Sequence, residues 1–144
     1  MIVVGETGLC RWMCGSGTIA PGEVDIFVAH IRGTRPRPGL VMVDLVHDIS
    51  TPSAADRRHI AEAVRTVLST SPDIAGHALI SNSAVARGVM TAINWVAKTP
   101  FPEGTFSTPA DGLAWAAQRS PTIDPAAMLA VLHEQVPGFA SLRW

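Results

Sequence analysis

Residues 40–58 read LVMVDLVHDISTPSAADRR, and the change of character partway along this stretch decides the fold. Its first seven residues are apolar at every position except Asp44, with no alternation of polar and apolar side chains. A short run without a two-residue period is the pattern of a strand buried on both faces, as in a parallel sheet covered by helices. The run then breaks into His47, Asp48, Ser50, Thr51 and Ser53. Thr51 followed by Pro52 suits a helix start, because a threonine hydroxyl accepts an orphan backbone N–H and proline lacks a donor that the first turn cannot use. The spacing predicts a helix from there to about Leu68, burying Ile60, Val64, Val67 and Leu68 and exposing Arg57, Arg58, Glu62 and Arg65. Strand, polar turn and helix together make half of a crossover unit.

The same plan recurs on both sides. Downstream, residues 74–81 hold a brief apolar strand, Asn82-Ser83 a cap signal, and residues 83–97 a third helix whose polar stripe narrows to Arg87, Thr91, Asn94 and Lys98. A helix that apolar must bury more than one face. A strand around residues 105–107 precedes Thr108-Pro109-Ala110-Asp111, a capping-box-like start for a helix carrying Leu113, Ala114 and Ala117. Asp124-Pro125 begins a last helix with Met128, Leu129, Leu132 and Val136 on one side, and Pro137-Gly138 ends it. Upstream, Val24, Phe27, Val28 and Ile31 mark a surface helix over residues 21–33, followed by the proline-broken linker TRPRPG. Residues 1–4 and 9–14 flank GETG as a hairpin. The order predicts an α/β fold: a single mixed, mostly parallel sheet opening with a β-hairpin and flanked by helices, with right-handed crossovers and an extra C-terminal helix.

A chain of 144 residues suits one domain. Its 47% hydrophobic content, 16% charged content and formal charge of −1 exclude a disordered segment or a polybasic nucleic-acid face. No apolar run approaches the roughly 20 residues of a membrane span, and MIVVGETG lacks the features of a secretory leader, so the reading expects a cytoplasmic protein. Cys10 and Cys14 lie four steps apart on one strand, roughly 13 Å at about 3.3 Å per residue, too far to bridge. Without histidines at ligand spacing they make no zinc site, and the reading expects buried free thiols.

Three stretches carry a family resemblance: GTIAPGEVDIFVAHI, LVMVDL, and AINWVAKTPFPEGTFSTPADGLAWAAQ, in which Phe106, Thr108 and Ala114-Trp115 match a short strand ending in Phe, a cap, and a helix with an Ala-Trp pair. In these the chain resembles the STAS-like family of small bacterial regulatory domains related to anti-sigma-factor antagonists, above all its SpoIIAA-like branch. The resemblance covers residues 1–119, leaving residues 120–144 as a C-terminal helix and apolar tail expected to pack on the same domain. It implies a mixed sheet with helices on one main side, and regulatory or protein-interaction duty without catalysis. In the antagonists a turn before one helix carries Asp-Ser-Ser-Gly with a phosphorylated serine. Here that turn reads His47-Asp48-Ile49-Ser50-Thr51-Pro52-Ser53, so no phosphorylated residue is carried over.

A parallel sheet would align the carboxyl ends of its strands along one edge, where open α/β sheets bind ligands. That edge is expected to gather Asp44, His47, Asp48, Ser50, Thr51, Asn82 and Ser83, with Ser107 and Thr108 alongside. Helix capping accounts for the hydroxyls first, a regulatory contact second, and catalysis third, since His47 and Ser50 lack a nucleophile elbow around them. Two carboxylates and one histidine form no recognised metal pattern, so no metal and no cofactor are expected. Met90, Trp95, Phe139 and Trp144 are interface candidates: either the C-terminal helix folds back over the third helix, or a homodimer or protein partner covers it. The function read from the residues is a non-enzymatic regulatory or interaction domain. The alternatives are a binder of a small apolar or lipid-like ligand and a small hydrolase or transferase acting at the strand ends.

Overall fold

The computed structural model describes the backbone of residues 1–68, 71–96 and 98–144, with the side chains of residues 89, 90 and 93–96 outside the description. The strands are β1 (Ile2–Thr7), β2 (Cys10–Ser16), β3 (Leu40–His47), β4 (Ile74–Ser81) and β5 (Glu103–Phe106). They form one five-stranded sheet in the order β1-β2-β3-β4-β5. The β1–β2 pair is antiparallel, closed by a turn in which Gly8 takes φ +58°, and the remaining pairs are parallel. All eight residues of β3 are buried, Asp44 and His47 along with its six apolar residues, as expected of a strand covered on both faces.

The helices are α1 (Glu23–Arg32), α2 (Ala54–Ala63, continued by a π-helical turn over Val64–Leu68), α3 (Ala84–Val96), α4 (Pro109–Arg119) and α5 (Pro125–Gln135). Strands β2 to β5 are added in one direction, so right-handed crossovers place α1, α2 and α3 on the same face. The opposite face would then lie open, and α4 and α5 cover it. Alternate β3 residues divide accordingly. Leu40, Met42 and Val46 pack with Phe27, Ile31 and Ile60, whereas Val41, Val43 and Leu45 pack with Leu113, Leu132 and Val136. The resemblance implied helices on one main side; this sheet carries them on both.

Two further expectations are corrected. Helix α2 starts at Ser53, not at Thr51-Pro52. Ser53 accepts from Asp56 N–H at 3.1 Å, and the Asp56 carboxylate accepts from Ser53 N–H at 3.2 Å, a capping box in which Asp56 stands three residues after the cap. Thr51 has alanine at that position and caps nothing. The C-terminal helix also does not fold over α3, because α5 packs with α4 on the opposite face, with Leu132 fully buried there. Elsewhere the caps are as read: Thr108 accepts from Asp111 N–H at 3.2 Å, Asp124 from Ala126 N–H at 2.9 Å, and Ser83 from Ala86 N–H at 3.2 Å. Cys10 and Cys14 are free and buried, and burial pushes both thiols up to about 12. Among the described residues no helix is long and apolar enough to cross a membrane.

Candidate functional site

The strand-end edge exists, but its residues divide into groups with different tasks. At the end of β3, His47 Nε2 donates to the Arg143 carbonyl at 2.9 Å while its ring meets Trp144 edge-on at 5.2 Å. Asp48 takes φ +44°, a left-handed conformation that aspartate tolerates better than most residues. This turn brings Asp48 to Asn82 at the end of β4: Asp48 N–H donates to Asn82 Oδ1 at 3.4 Å, and Asn82 Nδ2 donates to Asp48 Oδ1 at 3.2 Å. His47, Asp48 and Asn82 thus hold the tail of the chain against the edge. Trp144 is half-buried on His47, and Phe139 is 4% exposed within the core, so neither stands out as a free surface. The side chains of the other two interface candidates, Met90 and Trp95, lie outside the described residues.

Ser50 turns toward the start of the chain, its hydroxyl accepting from Ile19 N–H at 3.0 Å and its own N–H donating to Gly17 O at 2.9 Å. His47 and Ser50 are therefore tied to different partners, and no hydrogen bond among the described residues joins them as base and nucleophile. Ser83 is used as the α3 cap. Among the described residues no three His, Cys, Asp or Glu side chains are placed to hold a metal ion.

Asp44 is not at the edge. It sits three residues before the end of β3, roughly 10 Å down the strand, and is 5% exposed. There it faces α1, hydrogen-bonded to His77 Nε2 at 3.1 Å, while His77 Nδ1 lies 3.5 Å from Glu103. Three neighbouring strands thus supply a carboxylate, an imidazole and a carboxylate in a row. Burial opposes the charge on His77, but the hydrogen bonds to Asp44 and Glu103 outweigh it and push its pKa up to about 9. His30 on α1 behaves oppositely: burial, followed by the charge of Arg11, pushes it down to about 4. The sequence signal for this row was Asp44 itself, since an acid in an apolar strand requires a partner. Its identity depended on the register between β3 and β4.

One opening into the interior is apolar. Between the sheet and α1, α2 and α3, near the carboxyl ends of β2 and β3, lies a chamber of about 80 Å³. Its walls include Met13 and Val46 from the sheet, Phe27, Ile60, and Val85 on the first turn of α3. Ile49 and Thr51, from the polar turn after β3, also line it. A wider, more polar hollow of about 300 Å³ shares Ile19, Val24, Thr51 and Pro52 with the chamber. Set against protein-family models, curated proteins and solved structures, the chain matches none of them.

Proposed function

We propose that this chain is a non-enzymatic regulatory domain that acts by binding, and that the chamber is its binding element for a small apolar molecule. The observation that carries this reading is the chamber's lining: apart from Thr51 and Ser83, every residue that borders it is apolar. At about 80 Å³, against about 150 Å³ for an apolar cavity that holds benzene, the chamber suits a group of about three carbons. The regulatory character comes from the STAS-like resemblance, and the absence of a chemical step fits the internal use of His47, Ser50 and Ser83. Native mass spectrometry of freshly isolated protein tests the reading. An adduct that organic extraction removes, and that an Ala86→Phe variant fails to carry, is the expected result. Apo mass alone, with no chemical-shift change on adding short alkyl compounds, overturns it.

A second reading, a protein partner laid over the chamber, draws on Val85, which is 70% exposed at the rim. On that account Val85→Asp abolishes capture of a partner from cell extract, while the folded protein keeps any small-molecule adduct.

A further inference from the structure

A chamber of about 80 Å³ has room for a group of about three carbons. Each buried carbon strengthens binding about four-fold, so a free molecule of that size would bind with a dissociation constant on the order of 10 mM. Even at the best efficiency of very small ligands it would reach only about 1 mM. The chamber is thus an anchor point for one group of a larger molecule, which has to find the rest of its affinity on the surface alongside. Of the two readings above, this favours the second.

The surface alongside is the hollow of about 300 Å³, which shares Ile19, Val24, Thr51 and Pro52 with the chamber. Its lining carries the carboxylates of Asp25 and Asp56 and no cation. The amino-terminal ends of α1 and α2 oppose these with about half a positive charge each, which leaves about one net negative charge. Arg57, turned onto the Pro52 carbonyl at 2.6 Å, and His59, 3.7 Å from Asp25, lie outside the lining. Asp56 is engaged by Ser53 in the capping box, whereas the Asp25 side chain is 74% exposed and open to a cation from outside. Thr51 stands where the two compartments join, with a hydroxyl that can donate to or accept from a peptide group. Val85, 70% exposed, adds apolar surface at the rim of the chamber.

Resting on the chamber as the binding element proposed above, we infer that it seats one valine-sized side chain of a protein partner, and that a lysine or arginine next to that residue meets Asp25 in the hollow. Valine ends in a branched group of three carbons. A polypeptide carries such a group and a cation at neighbouring positions, with a backbone between them that hydrogen-bonds. A phenylalanine ring, at about 150 Å³ for a benzene-sized group, is too large for the chamber.

The test presents the intact protein to a phage-displayed library of random heptapeptides and titrates the selected peptides against it, with NMR readout of the Ile49 and Val85 methyl groups. The expected result is enrichment of peptides with valine next to lysine or arginine. Changing that valine to alanine in the peptide removes two carbons and weakens binding about fifteen-fold, and changing it to phenylalanine weakens binding at least as much. Asp25→Asn weakens binding about two- to five-fold and reduces its dependence on salt. The peptide variants leave the protein unaltered, so they decide even if Asp25→Asn does not fold. Xenon, followed by the same methyl shifts, reports on the chamber alone. Xenon binding with no enriched peptide, or with peptides whose anchor is aromatic or whose neighbouring residue is acidic, overturns the inference while leaving the chamber as a binding element. No response to xenon together with no enriched peptide overturns the binding role itself.

Discussion

On the face covered by α4 and α5, Trp12, Val43, Leu45, Ile80, Leu113 and Leu132 are at most 1% exposed, and the described centre of that face holds no charged group. On the face covered by α1 to α3, the same strands present Arg11, Asp44 and His77 and leave a chamber of about 80 Å³. Arg11 is drawn in by the His30 carbonyl at 2.6 Å and by Glu6 at 2.6 Å. Buried charge and unfilled volume each lower stability relative to a filled apolar layer. Both fall on one side of one sheet. The α4–α5 face is the filled layer, and the α1–α3 face is where the binding proposed above would find room.

The sharpest way to break this division is Asp44→Ala. Removing one partner of a buried pair leaves the other uncompensated, and a loss of about 3–5 kcal/mol is expected at pH 7, measured by urea unfolding. The pH profile localises the effect to the same face. His77 titrates at about 9 in the folded chain against 6.5 ordinarily, so the folded state holds the proton more tightly and stability falls as pH rises from about 6.5 through 9. His30 titrates at about 4, so the unfolded chain binds the proton more tightly and stability falls as pH drops from about 6.5 toward 4. A stability maximum near neutral pH is expected, with His77→Gln flattening the alkaline limb and His30→Gln the acid limb. Alkaline limbs that coincide in the His77→Gln and unaltered chains would sink this account of the row.

Next in size is a pair of truncations, one on each face. Leu132→Ala on the filled face should cost about 3 kcal/mol, since the lost side chain leaves a new cavity. Ile49→Ala should cost about 1 kcal/mol, because Ile49 is half-buried and already borders empty volume. Equal unfolding midpoints for the two variants would contradict the contrast between the faces.

How far each face was legible in the sequence depends on how local its determinants are. The doubly buried β3 was plain in LVMVDLV, and the starts of α4 and α5 were plain in Thr108-Pro109-Ala110-Asp111 and Asp124-Pro125, because strand burial and capping are written within a few residues. The side taken by α5 was not. It depends on β2 to β5 being added in one direction, which sends the crossover helices to a single face and leaves the other to α4 and α5. Asp44 was visible as an acid in an apolar strand, but its partner His77 lies 33 residues away, and no local pattern sets the β3–β4 register. Its placement at the edge was too generous by about three residues of strand. The chamber was less legible still, since its walls come from three strands, three helices and the turn around Ile49. His47, Asp48 and Asn82 were singled out by residue type, yet their link to the tail at Arg143 could not be read from spacing.

The smallest expected effect compares the two faces through one tripeptide, Ser-Thr-Pro, which occurs as Ser50-Thr51-Pro52 and as Ser107-Thr108-Pro109. Thr108 has Asp111 three residues on, so its hydroxyl caps α4, the helix that closes the filled face. Thr51 has Ala54 at that position, and the cap passes to Ser53 with Asp56. Thr108→Ala should therefore cost about 1 kcal/mol, as should Ser53→Ala, whereas Thr51→Ala should stay within about 0.5 kcal/mol. The three are separable by unfolding midpoints measured under one condition. A Thr51→Ala loss matching that of Thr108→Ala would mean that Thr51 holds the start of α2 after all. A neutral Thr51→Ala leaves its hydroxyl without a structural task, at the place where the apolar chamber meets the polar hollow.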